Sequence, residues 1–287
     1  MLGVVGTVPD SGFDFVSGQI VMPEGKLTVA GRSVPIHRGT PALLAAAFQT
    51  LQVFGKTELT TYLAGDTGLG KGSRKIYKTL VSEGIPEEIH TLTFHYLQPD
   101  VDWHNRVLFS IDETENKPIL IADAGFMYAA KMSGQAGVYD LFTPDAGELS
   151  FLADEKAPHP FYTRGFILHD DNQVPDLVQR AYDHENAARY LLVKGHTDYI
   201  TDRKGVLFTV DSHRTEAMEA IGGTGDTLTG IVSALVSTGM QIPTAAHAAA
   251  QINRLAGFNT CPSPATQISE IITYIPDATE NILRNYD

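Results

Sequence analysis

Short apolar segments alternate with segments of helical periodicity along most of this chain. From about residue 59 onward, apolar runs are separated by stretches whose apolar residues recur at helical spacing. The predicted strands are 60–64, one within 88–97, 118–122, 139–143 and 190–193, and the predicted helices are 73–82, 173–185 and 226–237. Because strands that alternate with helices are typical of βαβ units, the pattern predicts an α/β fold with a mostly parallel sheet between two helical layers.

Two segments depart from this alternation near the start of the chain. The first residues form a short apolar stretch with no Lys or Arg before it, which predicts a first strand rather than a signal peptide. Residues 17–36 contain two strand-like halves around Pro23, Glu24 and Gly25, which predicts a hairpin. We expect this hairpin to form an edge flap or lid on a single domain that spans residues 1–287.

The segment from Asp226 to Arg254 is long enough to cross a bilayer and carries no charged residue between its ends apart from a protonated His247. It is interrupted by Gly239, Gln241 and Pro243, and the apolar run before this break has only about 12 residues, against the ~20 that a membrane span needs. The segment therefore predicts two buried helices joined by a turn and no membrane span.

Composition and charge narrow the classes of partner. The chain has 287 residues, with 21 Lys and Arg against 34 Asp and Glu, and a net charge of −13. Such a charge repels phosphate and argues against a general binder of nucleic acid or anionic membrane, although a local basic pocket or a bound cation still permits one small phosphorylated ligand. Cys261 is the one cysteine, which excludes an internal disulfide and a Cys-cluster zinc site and fits a reducing cytoplasm. The composition does not determine the oligomeric state, and a homo-oligomer is one possibility.

The strongest chemical signal is the sequence GGTGDTLTG at 222–230. Three glycines in four positions permit a tight turn and a close approach by a ligand, and the residues that follow place apolar side chains on one helical face. The free amides at such a helix start bind anions. Asp226 would repel a phosphate bound there, so its presence needs an explanation. The functional interpretation is that it removes a proton from an attacking hydroxyl group. The alternative interpretation is that it caps the helix.

This loop resembles the GTGD loop of the ribokinase superfamily, and more narrowly the GGTGDVLAG loop of the ADP- or ATP-dependent NAD(P)H-hydrate dehydratases. Further segments resemble that family in the same order over roughly residues 37–285: GDTGLG at 65–70, ILIADAG at 119–125, LFTPDAGEL at 141–149, LLVKG at 191–195 and ISEIITYIP at 268–276. The resemblance implies a ribokinase-like three-layer α/β/α sandwich with a mostly parallel central sheet.

The resemblance also implies roles for individual residues. Asp226 is the expected catalytic base. The expected nucleotide-binding residues are Lys194, Gly195, Gly223, Thr224, Gly225 and Asn253; the expected substrate-binding residues are Gly68, Gly70 and Asp123; and Asp145 and Glu148 are expected to organise Mg²⁺. Simpler alternatives remain for several of them: an ordinary surface lysine at 194, a helix cap at 145 with Glu148 in the first turn, and a packing turn at 65–70.

Two segments differ from the family pattern. The chain has EAMEAI at 216–221 where the family has a stretch like NPGMAT, and INRLAGF at 252–258 where the family has LHGLAGD. The ten histidines show no metal-binding spacing and are interpreted as scattered surface or core residues. GDTGLGKG at 65–72 matches a Walker A loop until Gly72 stands where Ser or Thr would bind Mg²⁺, which makes a P-loop NTPase the weakest alternative.

The implied function is dehydration of hydrated NADH or NADPH, driven by ATP or ADP with Mg²⁺ through transient phosphorylation of the substrate hydroxyl. The main alternative is a small-molecule kinase of the sugar, hydroxymethylpyrimidine or hydroxyethylthiazole type, which needs the same loop and base. A nucleotide-binding protein without catalytic activity is a third alternative, against which the retained Asp226 argues.

Overall fold

A computed structural model describes residues 1–159, 173–284 and 286. The strands are β1 Leu2–Val8, β2 Val16–Val21, β3 Thr28–Val29, β4 Arg32–Ser33, β5 Leu59–Gly65, β6 Thr91–His95, β7 Ile119–Ala122, β8 Leu141–Phe142, β9 Tyr190–Val193, β10 Asp198–Asp202 and β11 Gly205–Val210. The helices are α1 Thr40–Val53, α2 Lys71–Glu83, α3 Val101–Asp112, α4 Ala124–Met132, α5 Ala146–Ala153, α6 Val174–Asp183, α7 Thr224–Ser237, α8 Ile242–Asn259, α9 Ile268–Ile272 and α10 Ile275–Leu283.

The described strands form one 11-stranded sheet in the order β11-β10-β9-β8-β7-β6-β1-β5-β2-β3-β4. The six strands from β9 to β5 in this order pair in parallel, and the strands beyond them at both edges pair antiparallel. The predicted parallel centre is therefore confirmed, and each predicted strand lies on or within two or three residues of an observed one.

Helices cover both faces of the sheet. Helices α2 to α6 pack on one face around an aromatic cluster that includes Phe94 and Phe126, and α1 and α7 to α10 pack on the other. Helix α1 is apolar almost all round because it lies between the sheet and α7. Close contact between these two helices depends on Gly230, where a Cβ would lie 2.3 Å from the Leu43 carbonyl oxygen.

The predicted hairpin is present at the sheet edge. Strand β2 pairs with β3 around a 3-10 turn at Pro23–Gly25, and β2 also pairs with β5. The two helices predicted from the long uncharged segment are α7 and α8, with a turn at Gly239. Within the described ranges, no helix has both the length and the apolar character that a membrane crossing requires.

Candidate active site

The carboxyl ends of the central strands and the starts of three helices meet at one edge of the sheet. His95 ends β6, and Asp123 follows β7 and caps α4. Helices α1 and α7 begin beside them at Gly39 and Gly223, respectively, each glycine having a positive φ. Because helix N-termini carry free amides and partial positive charge, this edge favours anionic ligands.

Asp226 lies in the first turn of α7 and is buried. Its Oδ2 accepts a hydrogen bond of 2.6 Å from the Gly39 amide, and its Oδ1 lies 3.1 Å from Nε2 of His95. The N-cap of α7 is Gly223, and no side chain makes a capping hydrogen bond there. Asp226 therefore does not cap its own helix; it joins the start of α7 to the start of α1.

The surroundings of Asp226 favour its ionised form. Burial raises the pKa of this carboxyl, but the hydrogen bond and charge of His95, the Gly39 amide and the charge of Lys194 outweigh burial, so that the pKa lies below its usual value. An ionised carboxylate near neutral pH is available to accept a proton from a hydroxyl group. The geometry is thus compatible with the predicted catalytic base.

Lys194 and Asp123 form an ion pair next to this carboxylate, with Asp123 buried and Lys194 largely so. Nζ of Lys194 lies 2.9 and 3.0 Å from the two carboxylate oxygens of Asp123, and the Thr229 hydroxyl of α7 donates to the same carboxylate at 2.7 Å. Although burial lowers the pKa of Lys194, the charges of Asp123 and Glu148 raise it above its usual value. Lys194 is therefore not an ordinary surface lysine. Its side chain packs beside Gly225, where an added Cβ would lie 3.5 Å from Cδ of Lys194.

Asn253 of α8 fixes the shape of the glycine-rich loop. Its Oδ1 accepts from the Thr227 hydroxyl at 2.7 Å, and its Nδ2 donates to the Thr224 carbonyl at 3.0 Å. The adjacent Arg254 bonds Asp198 and the carbonyls of Gly195 and His196. The structure therefore brings the predicted nucleotide-binding residues together around the start of α7; their contact with a nucleotide stays a prediction.

Asp145 and Glu148 form a capping box at the start of α5. Oδ1 of Asp145 accepts from the Glu148 amide, and Oε2 of Glu148 accepts from the Asp145 amide, each at 2.8 Å. The Tyr128 hydroxyl donates to Oε1 of Glu148 at 2.7 Å. The helix-cap interpretation is confirmed, and a metal role for the two residues stays a prediction.

The two carboxylates of this capping box differ in how well they could bind Mg²⁺. Among the described residues, no group of three His, Cys, Asp or Glu side chains is arranged to hold a metal ion. Both oxygens of buried Glu148 have hydrogen-bond donors, whereas Asp145 is exposed. Mg²⁺ in nucleotide sites is usually held by one or two carboxylates together with phosphates and water. Asp145 fits such an ion better than Glu148 does.

The loop at Gly65–Gly70 is closed around its own aspartate. The Asp66 carboxylate accepts five hydrogen bonds: from the amides of Gly68, Leu69, Gly70 and Ser73 and from the Ser73 hydroxyl. Because these amides already have an anionic acceptor, they are not free for a second anion, and this also weakens the P-loop alternative. Substrate binding by Gly68 and Gly70 stays a prediction, and it would have to use another surface of the loop.

Sequence reasoning missed three residues of this site. His95 was grouped with the scattered histidines, although it is fully buried between Thr40 and Asp226. Arg38 lies beside the glycine loop, with its Cα and Cδ near Gly223 and Gly222. Tyr96 has a φ of 49° and covers the His95 ring at a centroid distance of 4.2 Å. The one available signal was that His95 and Tyr96 end a predicted strand of a parallel sheet.

Comparison with known proteins adds the relatives of the chain. Residues 98–277 match the family model described as NAD(P)H-hydrate dehydratase. An uncharacterized protein of Methanocaldococcus jannaschii is 42% identical over 243 residues, which are 84% of this chain and 100% of that protein. The ADP-dependent (S)-NAD(P)H-hydrate dehydratase of Cenarchaeum symbiosum is 31% identical over 135 residues, which are 47% of this chain and 42% of that enzyme. The match therefore spans less than half of this named dehydratase.

A solved structure shows the same fold. A ribokinase-like superfamily protein from Enterococcus faecalis superposes with a TM-score of 0.60 at 14% identity, over 98% of this chain and 87% of that chain. At this identity the likeness concerns the fold alone. It confirms the predicted ribokinase-like three-layer sandwich.

Proposed function

Because this chain belongs to the NAD(P)H-hydrate dehydratase family, we propose that it restores NADH or NADPH from their hydrates at the expense of ATP or ADP. The observation that carries the proposal is the ionised, buried Asp226 in the first turn of α7, where the free amides of the glycine loop favour phosphate. A base beside a phosphate-binding helix start is what phosphoryl transfer to a hydroxyl requires.

The proposed reaction has two stages. Asp226 accepts the proton of the ring hydroxyl while that oxygen attacks the terminal phosphoryl group, which leaves ADP from ATP or AMP from ADP. The ring C–O bond of this phosphate ester then breaks, with the electron pair of the ring nitrogen assisting, and inorganic phosphate leaves with the bridging oxygen. Loss of a proton from the neighbouring ring carbon restores the nicotinamide double bond. In this arrangement Lys194 and the α7 amides stabilise negative charge on the phosphates, and Asp123 holds Lys194 in place.

Mg²⁺ is part of the proposal, because a divalent cation would neutralise charge on the transferring phosphoryl group. Asp145 is the side chain that we expect to contact the ion or its water, because Glu148 is buried and hydrogen-bonded on both oxygens. Gly195, Gly223, Thr224, Gly225 and Asn253 are the residues that we expect to surround the nucleotide.

Product analysis tests the function. The purified protein is incubated with hydrated NADPH and ATP, and in parallel with ADP, and NADPH and inorganic phosphate are measured. Equal amounts of both products, formed far more slowly by the Asp226→Asn variant, support the dehydratase. A stable phosphoester in place of free phosphate identifies a kinase, and no turnover with either nucleotide contradicts the dehydratase.

The setting of the enzyme is also a proposal. A small-molecule substrate in the cytoplasm suits an acidic chain whose one cysteine is Cys261. The net charge of −13 opposes binding to nucleic acid. Native mass spectrometry of the purified protein distinguishes a homo-oligomer from a monomer.

A further inference from the structure

His95 is buried completely at the end of β6 and contacts groups from three other elements. Its Nδ1 lies 3.0 Å from the Thr40 hydroxyl of α1, and its Nε2 lies 3.1 Å from Oδ1 of Asp226 in α7. Nε2 is also 3.8 Å from Oδ2 of Asp123 after β7. Since ionised carboxylates only accept hydrogen bonds, this arrangement places a hydrogen on Nε2.

The surrounding backbone is shaped for this contact. Gly6 of β1 faces Thr40, and a Cβ at position 6 would lie 2.5 Å from the Thr40 hydroxyl and 2.8 Å from the His95 carbonyl oxygen. Any larger residue at position 6 would displace Thr40 or the end of β6. Tyr96, whose carbonyl accepts from the Thr7 hydroxyl, covers the outer side of the His95 ring. The contacts with Thr40, Asp226 and Tyr96 therefore hold the imidazole in one orientation.

We propose that His95 is a positioning residue that keeps the Asp226 carboxylate ionised and aimed at the substrate hydroxyl. One oxygen of Asp226 is fixed by the Gly39 amide, and His95 fixes the other, so that the carboxylate has no freedom to rotate. The Thr40 hydroxyl can donate to Nδ1 or accept from it, so that both ring nitrogens of His95 have a hydrogen-bond partner in this orientation. The inference rests on the proposed role of Asp226 as base.

Several charged groups face this pair. Asp226 lies on α7, Asp123 after β7, and Lys194 after β9 pairs with Asp123. Lys194 favours an ionised Asp226, while Asp123 opposes it. Loss of the His95 hydrogen bond would leave Asp226 with the Gly39 amide and the more distant Lys194, and its pKa would rise. The expected consequence is that the acid limb of the pH profile of kcat/KM moves to higher pH.

The test compares His95→Leu, which removes the donor, with His95→Gln, which keeps an N–H donor. We expect the acid limb of kcat/KM to move up by about one pH unit in the leucine variant and by less in the glutamine variant, with unchanged nucleotide affinity. The control is His104→Leu; His104 is another buried histidine, bonded to the Tyr139 hydroxyl at 2.9 Å, and its loss should leave the limb in place. An unmoved limb in His95→Leu, or equal shifts in the two His95 variants, would overturn the proposal.

A second measurement does not depend on activity. In ¹³C-aspartate-labelled protein without ligand, the carboxyl signal that disappears in Asp226→Asn belongs to Asp226, and its titration midpoint should rise in His95→Leu. Thr40→Val, which removes one contact of His95 and is less disruptive, should raise the midpoint in the same direction if the leucine variant does not fold. A midpoint that stays in place in every folded variant overturns the role of His95. A raised midpoint in a protein that does not process hydrated NADPH overturns only the proposed function.

Discussion

At the scale of single residues, a substitution of Asp226 distinguishes nucleotide binding from catalysis. Its carboxylate accepts from the Gly39 amide and pairs with His95, and an asparagine of the same shape keeps the amide contact but cannot accept a proton. We expect Asp226→Asn to bind nucleotide almost normally while turnover falls by about two to four orders of magnitude, as for loss of a general base. Calorimetric titration with ADP and ATP, together with kcat, checks both halves. A variant that keeps most of its activity would assign the proton transfer to another group.

Glu148 makes a second prediction at this scale. Burial, followed by the charges of Asp145 and Asp123, raises its pKa above the usual range. A carboxyl whose pKa is raised in the folded state contributes stability that is present at low pH and is lost as the pH rises through the folded-state value. Glu148→Gln cannot ionise and keeps both capping contacts, so it should be increasingly more stable than the wild type from about pH 5 to about pH 8.

Urea unfolding across that pH range measures this difference in stability. The same variant, compared with Asp145→Asn, tests the metal assignment, because asparagine still caps a helix but is a weaker Mg²⁺ ligand. We expect the Mg²⁺ concentration for half-maximal activity to rise in Asp145→Asn and to stay unchanged in Glu148→Gln. The reverse result would make Glu148 the ligand.

At the scale of elements, two glycines of α7 have different tasks. At Gly230 a Cβ would lie 2.3 Å from the Leu43 carbonyl oxygen, whereas at Gly225 its nearest neighbours would be atoms of the Lys194 side chain, at 3.5 Å or more. We therefore expect Gly230→Ala to lower the free energy of unfolding by about 1–3 kcal/mol while ADP affinity is kept in the folded fraction. Gly225→Val should fold and lose ADP affinity, because its side chain would occupy the phosphate approach. Chemical denaturation and calorimetry distinguish these effects, and equal losses of stability in the two variants would contradict the assignment.

The elements also show which features a sequence reveals. Strands β5, β6, β7 and β9 were predictable because strands covered on both faces are short apolar runs bounded by turns. Helix α1 was not predicted, because a helix buried almost all round has no polar face to give it a helical period. Strand β11 was also missed, since its middle residues are exposed and its pairing with β10 is set by contacts that the pattern does not encode.

The residues of the candidate site likewise fall into those that the sequence reveals and those that it does not. Asp226 was found because its neighbours in sequence are glycines that form the loop. His95 was missed because its partner lies 131 residues away, so that only the packing of α7 against β6 brings the two side chains together. The Asp66 carboxylate that closes the loop at Gly65–Gly70 was missed for a related reason: composition shows that the glycines are there, but not which acceptor their amides face.

At the scale of the whole molecule, one buried histidine in the core should govern stability in mild acid. His104 of α3 packs against Phe126 and Tyr139, and burial lowers its pKa from 6.5 to about 4. A histidine that is buried in its neutral form contributes stability that is fully present above its unfolded-state pKa and is lost as the pH falls toward the folded-state value. The loss between about pH 6.5 and 4 should therefore be roughly 3 kcal/mol.

This loss can be separated from that of the acidic groups. The carboxyls of Asp66 and Asp226, whose pKa values are lowered in the folded state, release their stabilisation at lower pH than His104 does. The net negative charge of −13 also decreases in magnitude as the pH falls, so the repulsion among the acidic groups of the folded protein weakens in this range. We expect His104→Gln to start less stable and to show a flatter dependence of the free energy of unfolding on pH, measured with urea at intervals from about pH 7 to 4. The matched control is His247→Gln, because His247 is only partly buried and should remove a smaller part of the slope. If the free energy of unfolding depends on pH as steeply in His104→Gln as in the wild type, the loss of stability in acid comes from groups outside the aromatic core.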